Sequence, residues 1–351
     1  MAEKSTRRLF ALIAAGGFLT PFGSFAQEPE NPFGTVVEVR RIVTEVRVVD
    51  SDGSPIVGLG PDDFRVKVGG KVVDVESALW IPTTRSATAK VLAGTNEPVR
   101  TPEERLIVVV FQTDYRPNAY RLAGLVRMAP HAKEFVENLG PGDRVALMSF
   151  GSHLQLRADF TDDHQAIADM ISTTQVLKDV TVPRAARGTS LAENLDPDDA
   201  KRAATMARAL ELIGEALQPI PGPKSLVFFG FALGSYTAGT RITHDNSYRL
   251  AMEALTNART SVFSLDITDA DYHSLELGLE TVSRDTGGFY VKTHIFPDFA
   301  MKKLTRVISS YYELSLIPPP ELGKRYTIKV KVKRPGVDVY VRQDHSSGIM
   351  F

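Results

Sequence analysis

The chain has 351 residues, 43% hydrophobic and 24% charged, with a formal net charge of −1 and no cysteine. That length exceeds what one hydrophobic core usually holds, so one large and one small domain are expected. The near-neutral balance argues against nucleic acid or an anionic membrane as partner, and the missing cysteines exclude disulfides, a thiol nucleophile and a lipidated cysteine.

Residues 1–26 have the three parts of an export signal: basic Lys4, Arg7 and Arg8, an apolar stretch from Leu9 to Phe22, and small Ser24 and Ala26 before Gln27. Cleavage is expected after Ala26. The apolar stretch is short and is interrupted by Gly16, Gly17 and Pro21, which disfavours a membrane span. The Arg7-Arg8 pair leaves the general and the twin-arginine export routes both open. The mature chain is therefore expected to be periplasmic or secreted, with no membrane insertion once the signal is removed.

Residues 36–82 read as an N-terminal β domain. Val37, Val39, Ile42, Val46 and Val48 partly alternate, Asp50 to Pro55 is a turn, Phe64 to Val68 alternates strictly, and Gly69-Gly70 predicts a hairpin into a strand from Val72 to Trp80. Gly58-Leu-Gly60 lacks the third glycine and the Lys-Ser/Thr of a phosphate loop and reads as a turn. Residues 83–104, rich in Thr, Ala, Pro and Gly, are expected to be a linker.

Arg105 to Arg116 then runs Arg-Leu-Ile-Val-Val-Val-Phe-Gln-Thr-Asp-Tyr-Arg. A nearly unbroken apolar run of this kind predicts a strand buried on both faces, at the centre of a parallel sheet. A helix is expected from Asn118 to Leu139 with a kink at Pro130, then strands from Asp143 to Phe150 and Leu154 to Phe160 joined at Gly151-Ser152. Thr161-Asp-Asp163 predicts a helix start, and Leu177 to Asn194 a loop. Asp196-Pro-Asp-Asp199 supplies a cap, a first-turn proline and acids for one helix carrying Met206, Leu210, Ile213 and Leu217. Strands at Lys224 to Phe229 and Thr260 to Asp266 alternate with helices at Asn246 to Arg259, Tyr272 to Arg284 and Asp298 to Tyr312. The α/β region is thus expected over 105–317. Residues 325–342 alternate again around a Pro335-Gly336 turn, and two such strands cannot bury their apolar face alone. They are expected to pack with the N-terminal strands.

Four segments together resemble the von Willebrand factor A-related proteins, of the secreted kind common in acidobacteria: Val46 to Leu59 followed by Asp63-Phe64, Gly188-Thr-Ser-Leu191, Thr286-Gly-Gly288, and Tyr326 to Gly336. The resemblance implies a doubly wound, Rossmann-like α/β domain, here inserted in a small antiparallel β-sandwich formed by the N- and C-terminal strands.

The resemblance also implies a metal-dependent adhesion site, with three ligand positions on the turn after the first strand, a later Thr and an Asp after another strand. These positions fall on Gln112, Asp114 and Arg116, on Thr189, and on Gly230-Phe231. An amide and a permanent positive charge replace ligands that a hard cation requires, so no metal and no cofactor are expected. Asp114, Thr189 and Asp266 remain the candidates for a displaced Mg²⁺ or Ca²⁺ site. The expected function is docking of an unidentified protein partner on Thr113, Asp114, Tyr115, Arg116, Thr189, Ser190, Phe231 and Tyr236, with exposed aromatics and an arginine as anchors. Asp266, Asp269 and Asp271 are expected to be solvated loop carboxylates. The seven histidines show no zinc-hydrolase spacing and no Gly-x-Ser-x-Gly elbow occurs, so an enzyme is not expected, an unrecognised hydrolase being the alternative.

Overall fold

The structure, a computed structural model, describes residues 41–84, 105–113, 119–172, 189–237, 241–243, 246–271, 273 and 275–346. The export signal, most of the linker, Asp114 to Arg116 and Gly188 lie outside the described residues.

Four antiparallel strands come first: β1 (Ile42–Val49), β2 (Phe64–Val68), β3 (Lys71–Val73) and β4 (Val75–Pro82). β2 and β3 form the hairpin at Gly69-Gly70, where both glycines take positive φ that a side chain would resist. The strand expected from Val72 to Trp80 is broken at Asp74, a poor strand former, and β3 and β4 enter different sheets.

The α/β part follows. β5 (Arg105–Gln112), α1 (Ala119–Glu137), β6 (Asp143–Phe150), β7 (Leu154–Thr161) and α2 (His164–Met170) lead into α3 (Pro197–Arg202) and α4 (Met206–Leu217). Then come β8 (Lys224–Gly230), the ribbon of β9 (Ser235–Thr237) and β10 (Arg241–Thr243), α5 (Asn246–Asn257) and β11 (Thr260–Asp266). α6 (Glu276–Thr286), β12 (Tyr290–Lys292) and α7 (Pro297–Val307) complete it. The chain ends in β13 (Ser310–Leu316), β14 (Arg325–Val332), β15 (Asp338–Val341) and β16 (Asp344–Ser346).

Three expected helices differ from those found. The helix expected to run through Met206 to Leu217 from Asp196 is two helices. Asp196 caps α3 through Asp198 N and Asp199 N (2.8 and 3.0 Å), and Thr205 caps α4 anew through Arg208 N (3.2 Å). The helix expected to begin at Tyr272 begins at Glu276, leaving His273 in the preceding turn. The helix expected to reach Tyr312 stops at Val307, because Ser310–Leu316 alternates and buries its aromatic residues as β13, between β1 and β4.

The six-stranded sheet has the order β12-β11-β8-β5-β6-β7, with all pairs parallel except β6 with β7. β5 is central and alternates its side chains between two cores. Leu106, Val108 and Val110 face α4 and α5, while Ile107, Val109 and Phe111 face α1 and α7. The protein is thus mixed α/β, with a mostly parallel sheet flanked by helices on both faces.

Two further four-stranded sheets, β15-β1-β13-β4 and β16-β14-β2-β3, draw strands from both ends of the chain. Their apolar residues form a third cluster that includes Val46, Phe64, Val66, Tyr312, Leu314, Ile328 and Val330. β14 and β15 do not pair as a hairpin, since the Pro335-Gly336 turn carries the chain from one sheet to the other.

A buried charge cluster joins these strands to the end of α5 and the amino end of β11. Glu45 on β1 accepts from Arg259 Nε at 2.8 Å and from Arg342 at 3.3 Å, and Arg342 also donates to Thr256 O at 3.0 Å. Arg47 donates to Ser261 Oγ at 3.1 Å and lies over the Phe263 ring.

Candidate functional site

In an open α/β sheet, ligands bind beyond the carboxyl ends of the strands, where successive strands diverge to opposite sides. Here that point lies between β5 and β8, whose last residues are Gln112 and Gly230. The Gln112 side chain is buried, and its Oε1 accepts from Phe231 N at 3.0 Å and Ala232 N at 3.1 Å. An amide thus pins the loop after β8 to the end of β5. A Cβ at Gly230 would lie 2.4 Å from the Phe228 ring, so no aspartate fits there without moving Phe228. Gln112 and Gly230 thus offer no carboxylate at two of the positions where the resemblance implies a ligand to the adhesion-site metal. Gln112→Leu is expected to strand two buried N–H groups and cost about 1–3 kcal/mol, read from urea unfolding; an unchanged midpoint would mean the loop has other partners.

Two of the expected docking residues are not on the surface. Phe231, expected to be exposed, is buried and stacks beneath the Arg121 guanidinium, 4.1 Å from its ring centroid. It is part of the core because Gln112 draws its backbone inward. Ser190 is also buried; it donates to Asp159 on β7 at 2.6 Å, and Leu191 N donates to the same carboxylate at 2.7 Å. Thr113 and Thr189 are half-buried. Asp114, Tyr115, Arg116 and the Tyr236 side chain lie outside the described residues. With its neighbour Ser190 fixed to β7, Thr189 sits four strands from Asp266 on β11, ~19 Å across the sheet at ~4.8 Å per strand. Of the displaced-site candidates, the structure does not bring these two together.

At the end of β11 the expectation of solvated carboxylates fails for Asp266. It is buried and accepts from Thr268 N at 2.9 Å, His273 Nε2 at 2.6 Å and Tyr290 Oη at 2.7 Å. Burial, and then the charge of Asp266, push the Tyr290 hydroxyl well above its ordinary pKa, so it stays a donor. Asp269 pairs with Arg127 at 2.6 Å and Asp271 with His294 at 2.8 Å. Glu276, the first residue of α6, pairs with Lys292 at 2.7 Å. Asp266, His273 and Glu276 each offer a ligand atom, all within 4.8 Å of one another. Sequence reasoning missed His273 and Glu276, because Asp-x₆-His-x₂-Glu matches no standard metal spacing and the turn converges only on folding.

The start of α6 and the loop after β12 with the first turn of α7 also carry exposed apolar side chains. Leu277 is 49%, Ile295 57%, Phe296 67% and Phe299 45% exposed. No sequence periodicity distinguishes these residues from core ones.

No family profile and no curated protein matches the chain. Among solved structures it is similar to a von Willebrand factor type A protein from Catenulispora acidiphila, at 10% identity over 88% of this chain and 74% of that one, with TM-score 0.38. It is similar to an aerotolerance-related membrane protein from Bacteroides fragilis, at 13% identity over 58% and 98%, with TM-score 0.36. It is also similar to proximal thread matrix protein 1 of the mussel byssus, at 12% identity over 58% and 47%, with TM-score 0.38. The chain thus spans about half the length of the mussel protein. The fold described above rests on strand order and not on these scores.

Proposed function

We propose that this chain is an exported, non-enzymatic protein of the von Willebrand factor A-related type that docks a protein partner at the carboxyl edge of its parallel sheet without a metal in the β5–β8 crevice. In this proposal the α/β part is inserted in a small β-sandwich built from the two antiparallel sheets. The observation that carries the docking reading is the exposure of Ile295, Phe296 and Phe299 together on the loop and first turn after β12. Clustered apolar side chains at a loop edge are what a protein interface desolvates, and aromatic side chains dominate binding energy when it does. The Gln112 amide supports the metal-free part, since it spends its oxygen on two backbone donors. Export is supported by the basic, apolar and small-residue segments of residues 1–26. Among the described residues no helix is long and apolar enough to cross a membrane.

Phe296→Ser combined with Phe299→Ser is expected to abolish capture of the partner from a native envelope extract while leaving the thermal midpoint within a degree or so, as surface changes do. Tyr115→Ala with Arg116→Ala tests the docking residues expected from the sequence in the same assay. Capture undiminished in both double variants would refute docking at this edge. Capture that requires added Mg²⁺ would refute the metal-free crevice. A flat response to esterase, protease and phosphatase substrates is expected, and turnover of any of them would refute the non-enzymatic assignment.

A further inference from the structure

The group at the end of β11 has the composition of a cation site that the crevice lacks. Asp266 is held by Thr268 N and Tyr290 Oη, the kind of outer hydrogen bonds that orient a ligating carboxylate. His273 already aims Nε2 at Asp266 Oδ2. Glu276 Oε2 is buried yet accepts no hydrogen bond, its contact being the Lys292 ammonium. Thr268 Oγ1, next to Asp266, is likewise buried without a hydrogen-bond partner. The Asp266 and Glu276 carboxylates therefore lie close together, and Lys292, which pairs with Glu276 and also donates to Asp271 O, is about one-third exposed on a flexible stem.

We propose that Asp266, His273 and Glu276 bind one divalent transition-metal ion, zinc(II), linking the loop after β11 and the start of α6, with Lys292 occupying the cation's place when the ion is absent. The donor set decides the metal. One imidazole nitrogen with two carboxylate oxygens suits zinc, whereas Mg²⁺ and Ca²⁺ prefer oxygen alone. The charge balance agrees: two carboxylates with neutral His273 match a dication once Lys292 turns out to solvent. The geometric demand is small. The 2.6 Å separation of His273 Nε2 and Asp266 Oδ2 must open, to about 3.3 Å for tetrahedral bonds of about 2.0–2.2 Å. A water completes the fourth position. This site is independent of the Gln112 crevice, and its presence or absence leaves the docking reading standing.

The test uses untagged mature chain, stripped with chelator, titrated with Zn²⁺ by calorimetry and with Co²⁺ by visible absorption. One saturable site per chain is expected, with a cobalt spectrum of low coordination number and a raised thermal midpoint on zinc addition. His273→Ala and Glu276→Gln are each expected to weaken binding by about tenfold or more, the scale at which even outer-shell partners act. Glu276→Gln is isosteric at a helix start and keeps the test readable if His273→Ala folds poorly. Lys292→Ala is expected to tighten binding by removing the competing ammonium, and His294→Ala to leave it unchanged. Absence of a saturable heat, affinity unaltered in both ligand variants, weaker binding in Lys292→Ala, or loss in His294→Ala would each overturn the proposal.

Discussion

Replacing Glu45 with glutamine is expected to destabilise the protein by about 3–5 kcal/mol, the cost of leaving buried charges without their counterion. Arg259, Arg342 and Arg47 all surround that one carboxylate, and Glu45, Arg47 and Arg342 are all buried. Glutamine keeps the shape and one acceptor but removes the only negative charge among these four side chains. Urea unfolding reads the effect; a loss of about 1 kcal/mol or less, typical of an exposed pair, would show that water reaches the cluster. The pH dependence has a definite sign. Burial alone raises the Glu45 carboxyl, but Arg342, Arg259 and Arg47 outweigh it and hold the folded value below the ordinary 4.5. A depressed carboxyl contributes stability that is present above its unfolded pKa and is lost as pH falls through the folded one. The wild type should therefore lose stability more steeply than Glu45→Gln as pH drops below about 4.5, and a constant gap between the two would contradict this account.

Phe111→Ala is expected to cost a similar amount, about 3–5 kcal/mol, through lost burial and an unfilled cavity. Phe111 is fully buried and stacks on Phe229, with ring centroids 4.7 Å apart. Both residues immediately precede the ends of β5 and β8, so the cavity opens directly beneath the Gln112 bonds to Phe231 and Ala232. Hydrogen exchange at Phe231 N and Ala232 N should accelerate in this variant beyond what global destabilisation explains. Protection that falls only in step with global stability would mean the crevice does not feel the stack.

The candidate site was legible in part. Gln112 stood out in the sequence because it falls where the resemblance implies a carboxylate, but the backbone donors to its side chain come from a segment 119 and 120 residues away. Phe231 read as an exposed anchor, since a phenylalanine after a strand carries no mark of its burial. Among the described residues the exposed aromatics include Phe296 and Phe299, in a stretch whose periodicity is that of any amphipathic helix start. His273 and Glu276 gained meaning only when the turn before α6 placed them against Asp266.

Local chemistry along the chain determined the alternation of buried strands and helices, the centrality of Arg105–Gln112, the Gly69-Gly70 hairpin and the caps at Asp163, Asp196 and Thr205. Each depends on interactions within a few residues, where propensity, periodicity and capping act. The tertiary structure alone decided that Ser310–Leu316 becomes a strand between β1 and β4, that Glu45 meets Arg259 and Arg342 from distant segments, and that Asp266 is buried against His273 and Tyr290. Those outcomes depend on pairing and desolvation between segments tens to hundreds of residues apart, and no short-range pattern encodes them.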